Sequence, residues 1–393
     1  MTALHREHTG LTLTGTIATP RYRAWRLLRV QRWLGRSSKG LCGTSKSNTP
    51  SDIRIYCEKG KRAGFANLNY CKSSLCVVCN RQKAIQRKET IDITLKKAYD
   101  LNLQPWFLTF TCENHNDPEE QLNAINTGYK RLMDNLRVWM KRNYGKEVAK
   151  DIYAFRSVDM TIKKTLNLYH LHLHTIICLP KFVNLRDIAL KVKSSFISGV
   201  ESKGLKASMG GQDIQKVKTE HLNSYLTSFL SLGSELSLRD TKKAKSSESL
   251  SLPELMELSL KEGKGSKAFK CYKKLIYSLS GKRLFDRTRN IKQIITDEEI
   301  EEEMVSQNES DKPKEEVTIT IDRHVYKVID RLGMQALCLK AISSYWEEDK
   351  RPYFLLYNFL NVRYDLKDFE NFKIYDDSLI LIQALKNLFD KIE

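Results

Sequence analysis

Long apolar runs are absent from this 393-residue sequence. No stretch approaches the ~18–20 consecutive apolar residues that a bilayer-spanning helix needs, which excludes a membrane-spanning helical protein. The first fifty residues have almost no negative charge, Glu7 being their single acidic residue. They also lack the apolar core of a secretory leader, since His5, Arg6, Glu7 and His8 stand where it would build up. A secreted disulfide framework is missing too. The nine cysteines are an odd number in a long chain, and closely spaced thiols in a reducing, cytoplasmic setting read first as metal ligands. No internal repeat is visible.

What the sequence has is positive charge. Lys and Arg total 66 against 47 Asp and Glu, a formal net charge of +19. Such a balance says little about fold but favours a polyanionic partner, most simply nucleic acid. Hydrophobic residues make up 41%, enough for a real core. The length is that of two or three domains.

Composition divides the chain. Residues 1–50 read as a basic, disordered arm, with 21–34 able to form a basic helix. An Arg-rich transit peptide is the lesser alternative. Residues 52–88 hold a cysteine-rich module. Residues 89–104 read as a helix, Trp106–Cys112 as a strand and Pro118–Asn143 as a helix. Two strand-like runs follow, Ile152–Ile162 and Leu168–Leu179, joined by a polar hairpin loop. Helices are expected over 184–200 and 220–232, which places a main α+β domain at 90–235. Residues 236–296 read as a connector with a basic helical segment, its Ser-, Lys- and Glu-rich part (234–266) flexible. The stretch 297–316 carries ten acidic residues and reads as a solvated linker. Residues 317–393 form a small, mainly helical C-terminal domain.

Cys71, Cys76 and Cys79 fall within nine residues, with Cys57 fourteen upstream of Cys71. Four thiolates complete a tetrahedral Zn2+ shell, and a small module gains much of its folding energy that way. Arg81 and Lys83 follow directly, placing cations beside the module where they can contact DNA.

Tyr169-His-Leu-His-Leu-His-Thr-Ile-Ile-Cys-Leu179 is the most informative stretch. A strand alternates faces with period two, so His170, His172 and His174 project from one face. Leu171, Leu173, Thr175 and Ile177 project from the other. Stacked imidazoles are costly to bury in apolar surroundings and common as metal ligands. With a carboxylate they can hold a divalent ion and leave positions open for a phosphate. Asp159, on the neighbouring strand, is the nearest candidate.

The ordered set of a Cys-rich segment, Phe107-Leu-Thr-Phe-Thr111, the His strand and a Tyr-bearing helix resembles the rolling-circle replication initiators of small bacterial plasmids. These belong to the HUH (His-hydrophobic-His) endonuclease superfamily. His172-Leu-His174 matches the HUH pair and His170 the extra upstream His. Asp213-Ile-Gln-Lys-Val217 and Gly281-Lys-Arg-Leu284 resemble flanking signatures. The similarity covers roughly residues 52–290. It implies a central antiparallel sheet with flanking helices. It also implies Mg2+ or Mn2+ at the His pair, and plasmid origin DNA and host replication proteins as partners in a bacterial cytoplasm. The implied chemistry is nicking of one strand by a Tyr, leaving a 5′-phosphotyrosyl link and a 3′-OH.

By that resemblance the Tyr is Tyr225, although Leu222, Leu226, Phe229 and Leu230 make it equally the edge of an apolar helical stripe. Two positions depart from the pattern. Ser224 and Ser228 stand where relatives carry Lys, so a cation must come from elsewhere, Lys216 and Lys218 being near. His221 stands where many relatives carry the Glu that ends replication, and Glu220 lies one place too early. His221, Glu220 or a second protomer's Tyr are the alternatives for that step. Lys282 and Arg283 add basic charge for DNA. An HUH transposase or relaxase, a non-catalytic zinc-dependent DNA-binding regulator and an RNA-binding protein are rival readings.

Overall fold

The computed structural model describes residues 20–35, 37, 39–44, 53–59, 63–217, 248–294, 316–321, 323–332, 335–346 and 348. In chain order the elements are α1 (Pro20–Arg32), β1 (Ile53–Glu58), β2 (Gly64–Ala66), α2 (Val77–Asp100) and β3 (Leu103–Thr111). Then come α3 (Pro118–Tyr144), β4 (Tyr153–Lys163), β5 (Tyr169–Pro180), α4 (Ala189–Glu201) and β6 (Asp213–Lys216). The rest are β7 (Ser249–Ser251), α5 (Leu252–Glu262), α6 (Lys267–Ser278), β8 (Phe285–Arg287), β9 (Glu316–Ile321), α7 (Arg323–Leu332) and α8 (Gln335–Ser343). Both sheets are antiparallel and carry helices, so the α+β class holds. No described helix is long and apolar enough to cross a membrane.

The chain divides into two units, Met1–Cys71 with Asn308–Glu393, and Lys72–Gln307. The first is built on the three-stranded sheet β2-β1-β9. Its strands alternate cleanly: Ile53, Ile55 and Cys57 of β1 are buried, as are Val317, Ile319 and Ile321 of β9. Trp25 of α1 and Tyr326 of α7 each meet Phe65 edge-on, with ring centroids 5.6 Å apart. The Tyr326 hydroxyl donates to Gly43 O at 2.6 Å, and Arg32 pairs with Asp330.

Two expectations change here. Within the stretch expected as a disordered arm, residues 20–32 take the helical alternative, because Ala24, Leu27, Leu28 and Gln31 lie at helical spacing and are buried. The second concerns the segment expected as a small, mainly helical C-terminal domain. It opens with a strand paired to β1 from Ile53↔Ile321 to Glu58↔Glu316. The acidic stretch 297–315 lies outside the described residues.

The second unit holds a six-stranded sheet in the order β6-β3-β5-β4-β7, with β8 also paired to β4. β4 and β5 form the predicted hairpin, in register from Tyr153↔Cys178 to Ile162↔Tyr169. β3 lies on the other side of β5. One sheet face carries Leu171, Leu173, Thr175 and Ile177 of β5, all buried. α3 and α4 cover it, with Phe110 stacked on Phe196 at 4.8 Å. On the opposite face, α2 packs over one end only, where Ile91, Leu95 and Ala98 meet Leu103, Phe155, Ile176 and Cys178. That leaves the other end of the same face, where the histidines lie, to polar side chains.

α3 begins where Asp117 caps the amides of Glu119 and Glu120 at 2.8 and 3.3 Å, with Pro118 in the first turn. α2 starts at Val77, twelve residues before the expected helix over 89–104, with Cys76 as its cap. Within the connector expected over 234–266, the described residues begin at 248. Ser249–Ser251 pairs with β4, and Ser251 forms a capping box with Glu254 that starts α5. The helix expected over 220–232 lies outside the described residues.

α3 and α4 touch through glycines. A Cβ on Gly199 would sit 2.7 Å from Gly128 Cα and 2.9 Å from Thr127 O, both backbone atoms that cannot swing aside. Gly to Ala in a helix ordinarily gains up to about 1 kcal/mol. Here overpacking of about 1–3 kcal/mol should outweigh it. Gly199→Ala is therefore expected to lower the urea midpoint. An unchanged or raised midpoint would show that the helices can separate freely.

Candidate metal centres

β5 places three imidazoles on one face by alternation alone, and its neighbours supply the rest. In the antiparallel register Asp159 of β4 lies directly opposite His172, and Ser157 opposite His174. On the other side, β3 sets Thr111 beside His172 and Thr109 beside His174. The donor atoms of Asp159, His172 and His174 lie within 4.8 Å of one another. His172 Nε2 is 3.8 Å from Asp159 Oδ2, and Asp159 Oδ1 accepts the Met160 amide at 2.8 Å. Asp159 is 8% and His174 6% exposed, so the group is sunk into the sheet surface with one side toward solvent.

The rings are held from the side. His174 stacks on Phe107 with centroids 5.6 Å apart and planes 11° from parallel. Its Nδ1 lies 3.2 Å from Thr109 Oγ1, a hydrogen bond that leaves Nε2 as the natural ligand atom. His172 meets His174 edge-on at 4.8 Å. His170 does not join this group. Its Nε2 lies 3.2 Å from Thr111 Oγ1, and it faces Thr161 across the hairpin rather than a carboxylate. Burial, then the neighbouring His172, push its pKa down to about 4, so it stays neutral near neutral pH. One carboxylate and two imidazoles suit a divalent ion and leave coordination positions for oxygen ligands. Thr109 and Ser157 are residues the sequence reading missed. Their signal was register, visible only once the strands pair.

Among the cysteines expected as metal ligands, Cys76 and Cys79 lie at the start of α2, where the Cys79 amide donates to Cys76 Sγ at 3.4 Å. Cys57 points into the core of its own sheet, 1% exposed, with Ser343 Oγ 3.9 Å from its sulfur and Trp346 Nε1 donating to its carbonyl at 3.0 Å.

The residues expected to contact DNA are scattered. Lys83 Nζ donates to Lys72 O at 2.7 Å. Lys282 pairs with Glu119 at 2.6 Å, and Arg283 with Asp286 at 3.4 Å while remaining largely exposed. Lys216 is exposed at the end of β6, the edge strand. The side chain of Arg81, and Lys218, Glu220, His221 and Tyr225 altogether, lie outside the described residues. β6 ends at Lys216, nine residues before Tyr225 in sequence.

Residues 62–184 match a family model described as "Replication protein". The match takes in β3, the β4–β5 hairpin, Asp159 and the His row, together with Cys71, Cys76 and Cys79; it ends before Tyr225. No curated protein and no solved structure matches the chain.

Two outcomes follow from this geometry. Metal analysis of purified protein should find Zn2+ lost in Cys76→Ser and in Cys79→Ser; Zn2+ retained in both would remove these thiols as ligands. Thr109→Val should weaken Mn2+ binding by about tenfold in calorimetry, the usual scale for removing a partner of a metal-bound His. Unchanged affinity would show that Thr109 does not orient His174.

Proposed function

We propose that this protein is a plasmid rolling-circle replication initiator that nicks one strand of origin DNA at the Asp159/His172/His174 face. The observation carrying this reading is the pairing of an HUH strand with a carboxylate directly across the hairpin, inside the segment that matches the replication-protein family. That family implies a replication initiator with nuclease activity. The tyrosine mechanism and the origin as target are our reading of this chain.

Asp159, His172 and His174 hold a divalent ion. Mg2+ or Mn2+ bound there supplies Lewis-acid stabilisation of charge on a scissile phosphate. Thr109 and Phe107 keep His174 oriented, so the donors are preorganised before DNA arrives. Tyr225 Oη attacks phosphorus, the P–O3′ bond breaks, and the tyrosyl proton ends on the departing 3′ oxygen. The product is a 5′-phosphotyrosyl link with a free 3′-OH that can prime synthesis. Lys216 or Lys218 supplies the cation that Ser224 and Ser228 do not, and His221 or Glu220 serves the terminating step.

The closely spaced thiols of Cys71, Cys76 and Cys79 are read as ligands of a structural Zn2+. Lys83, Arg81, Lys282 and Arg283 add electrostatic contact to DNA. Binding is expected to weaken steeply with salt.

The test is incubation of the full chain with Mn2+ and single-stranded oligonucleotides tiled across DNA flanking its gene. A covalent protein–DNA adduct should form, and vanish in Tyr225→Phe and in EDTA. An adduct that survives in the Phe variant would move the nucleophile to another Tyr. DNA binding without any cleavage, from folded and zinc-loaded protein, would favour a non-catalytic DNA-binding regulator.

A further inference from the structure

The other face of the large sheet carries a feature that the nicking chemistry does not use. Between α3, the start of β4 and the segment from Arg283 to Asn290 lies a cavity of about 960 Å³. Seven Lys or Arg side chains line it against two Asp, far richer in cations than the 66 to 47 of the whole chain. It is reached from the face opposite the histidines. Arg156 in its floor pairs across the hairpin with Thr175, whose side chain shares the Leu171–Ile177 face.

The floor is preorganised. The Arg156 side chain is 14% exposed and held by contacts on three sides. Its Nη1 donates to Asn126 Oδ1 at 2.8 Å, its guanidinium covers the Tyr129 ring at 4.9 Å, and Nη2 lies 3.7 Å from Asp286. The rim is different. Lys130 and Arg137 stand two turns apart on α3, about 10 Å along the axis, and both are exposed. Lys150 and Arg289 line the cavity from other segments and are also exposed, Lys150 pairing with Glu147 at 2.7 Å. The two carboxylates are already engaged, Asp134 with Arg137 at 3.3 Å and Asp286 with Arg156 and Arg283. Lys130 and Arg289 make no ion pair among the described residues. Exposed ion pairs such as Arg137–Asp134 contribute little and exchange readily for a stronger anion.

A single small anion would engage one or two of these cations. Engaging the rim cations and the fixed floor together takes a chain of phosphates at regular spacing. We infer that this cleft binds the phosphate backbone of DNA, at a site separated by the sheet from the metal face. Its chemistry reads charge and spacing rather than bases, so it positions the DNA that flanks the cut strand. The inference rests on the proposed function for the choice of DNA as the polyanion. It does not rest on the metal centre.

The test compares two double variants of the full chain with equal changes in charge. Lys130→Glu/Arg289→Glu alters the cleft. Lys191→Glu/Lys203→Glu alters exposed positions on α4 and the turn after it. Anisotropy of a labelled duplex is followed over a salt series, with circular dichroism to confirm folding. The cleft variant should bind about tenfold more weakly, and its slope of log K against log salt should fall by about 2, because two phosphates are no longer neutralised and each accounts for ~0.9 of the slope. The control variant should keep the wild-type slope. Equal weakening of both variants, or a wild type that binds no duplex, would overturn the inference. So would a cleft variant that loses affinity for RNA alone. Nicking of short single strands reads the opposite face. Its failure in the wild type would sink the proposed function while leaving a selective loss in the cleft variant to stand.

Discussion

The candidate site depends on the period-two alternation of one strand held in register by two antiparallel neighbours. β5 cannot place His172 and His174 toward Asp159 without also sending Leu171 and Leu173 into the core beneath α3. A slip of one residue would bury the imidazoles among apolar groups and expose the leucines, so the cost of misregister falls on the whole sheet. The geometry of the candidate ligands is therefore fixed by hydrophobic burial on the reverse face. The helix pair α3–α4, closed tightly through Gly128 and Gly199, is what makes that burial dense.

The same sheet separates two kinds of electrostatics. On the His face, donors converge on a small volume where α2 stops covering the strands. On the other face, seven Lys and Arg side chains line a cleft of about 960 Å³. In the proposed function the first would serve phosphoryl chemistry and the second would hold the polymer, each on its own face of the sheet.

Much of this was legible in the sequence because the signals were local. The His row, the hairpin, β3 and α3 follow from alternation and helical spacing within a few residues. The capping box Ser251-Leu-Pro-Glu254 was equally local, but the Ser- and Lys-rich composition around it outweighed it. What was long-range was not legible. Ile53-Arg-Ile-Tyr-Cys57 alternates as a strand and sends Cys57 into a core. The alternation of Val317, Ile319 and Ile321 marks a strand, but nothing local reveals that its partner is β1. Thr109 joined the site by register alone.

The most direct measurement of the central claim is electron spin-echo spectroscopy of Mn2+ bound to the full chain. Nitrogen couplings from two imidazoles should appear, one lost in His172→Ala and one in His174→Ala, while His170→Ala leaves both. A Mn2+ spectrum with oxygen ligands only, unaffected by either substitution, would contradict a metal centre on this sheet face.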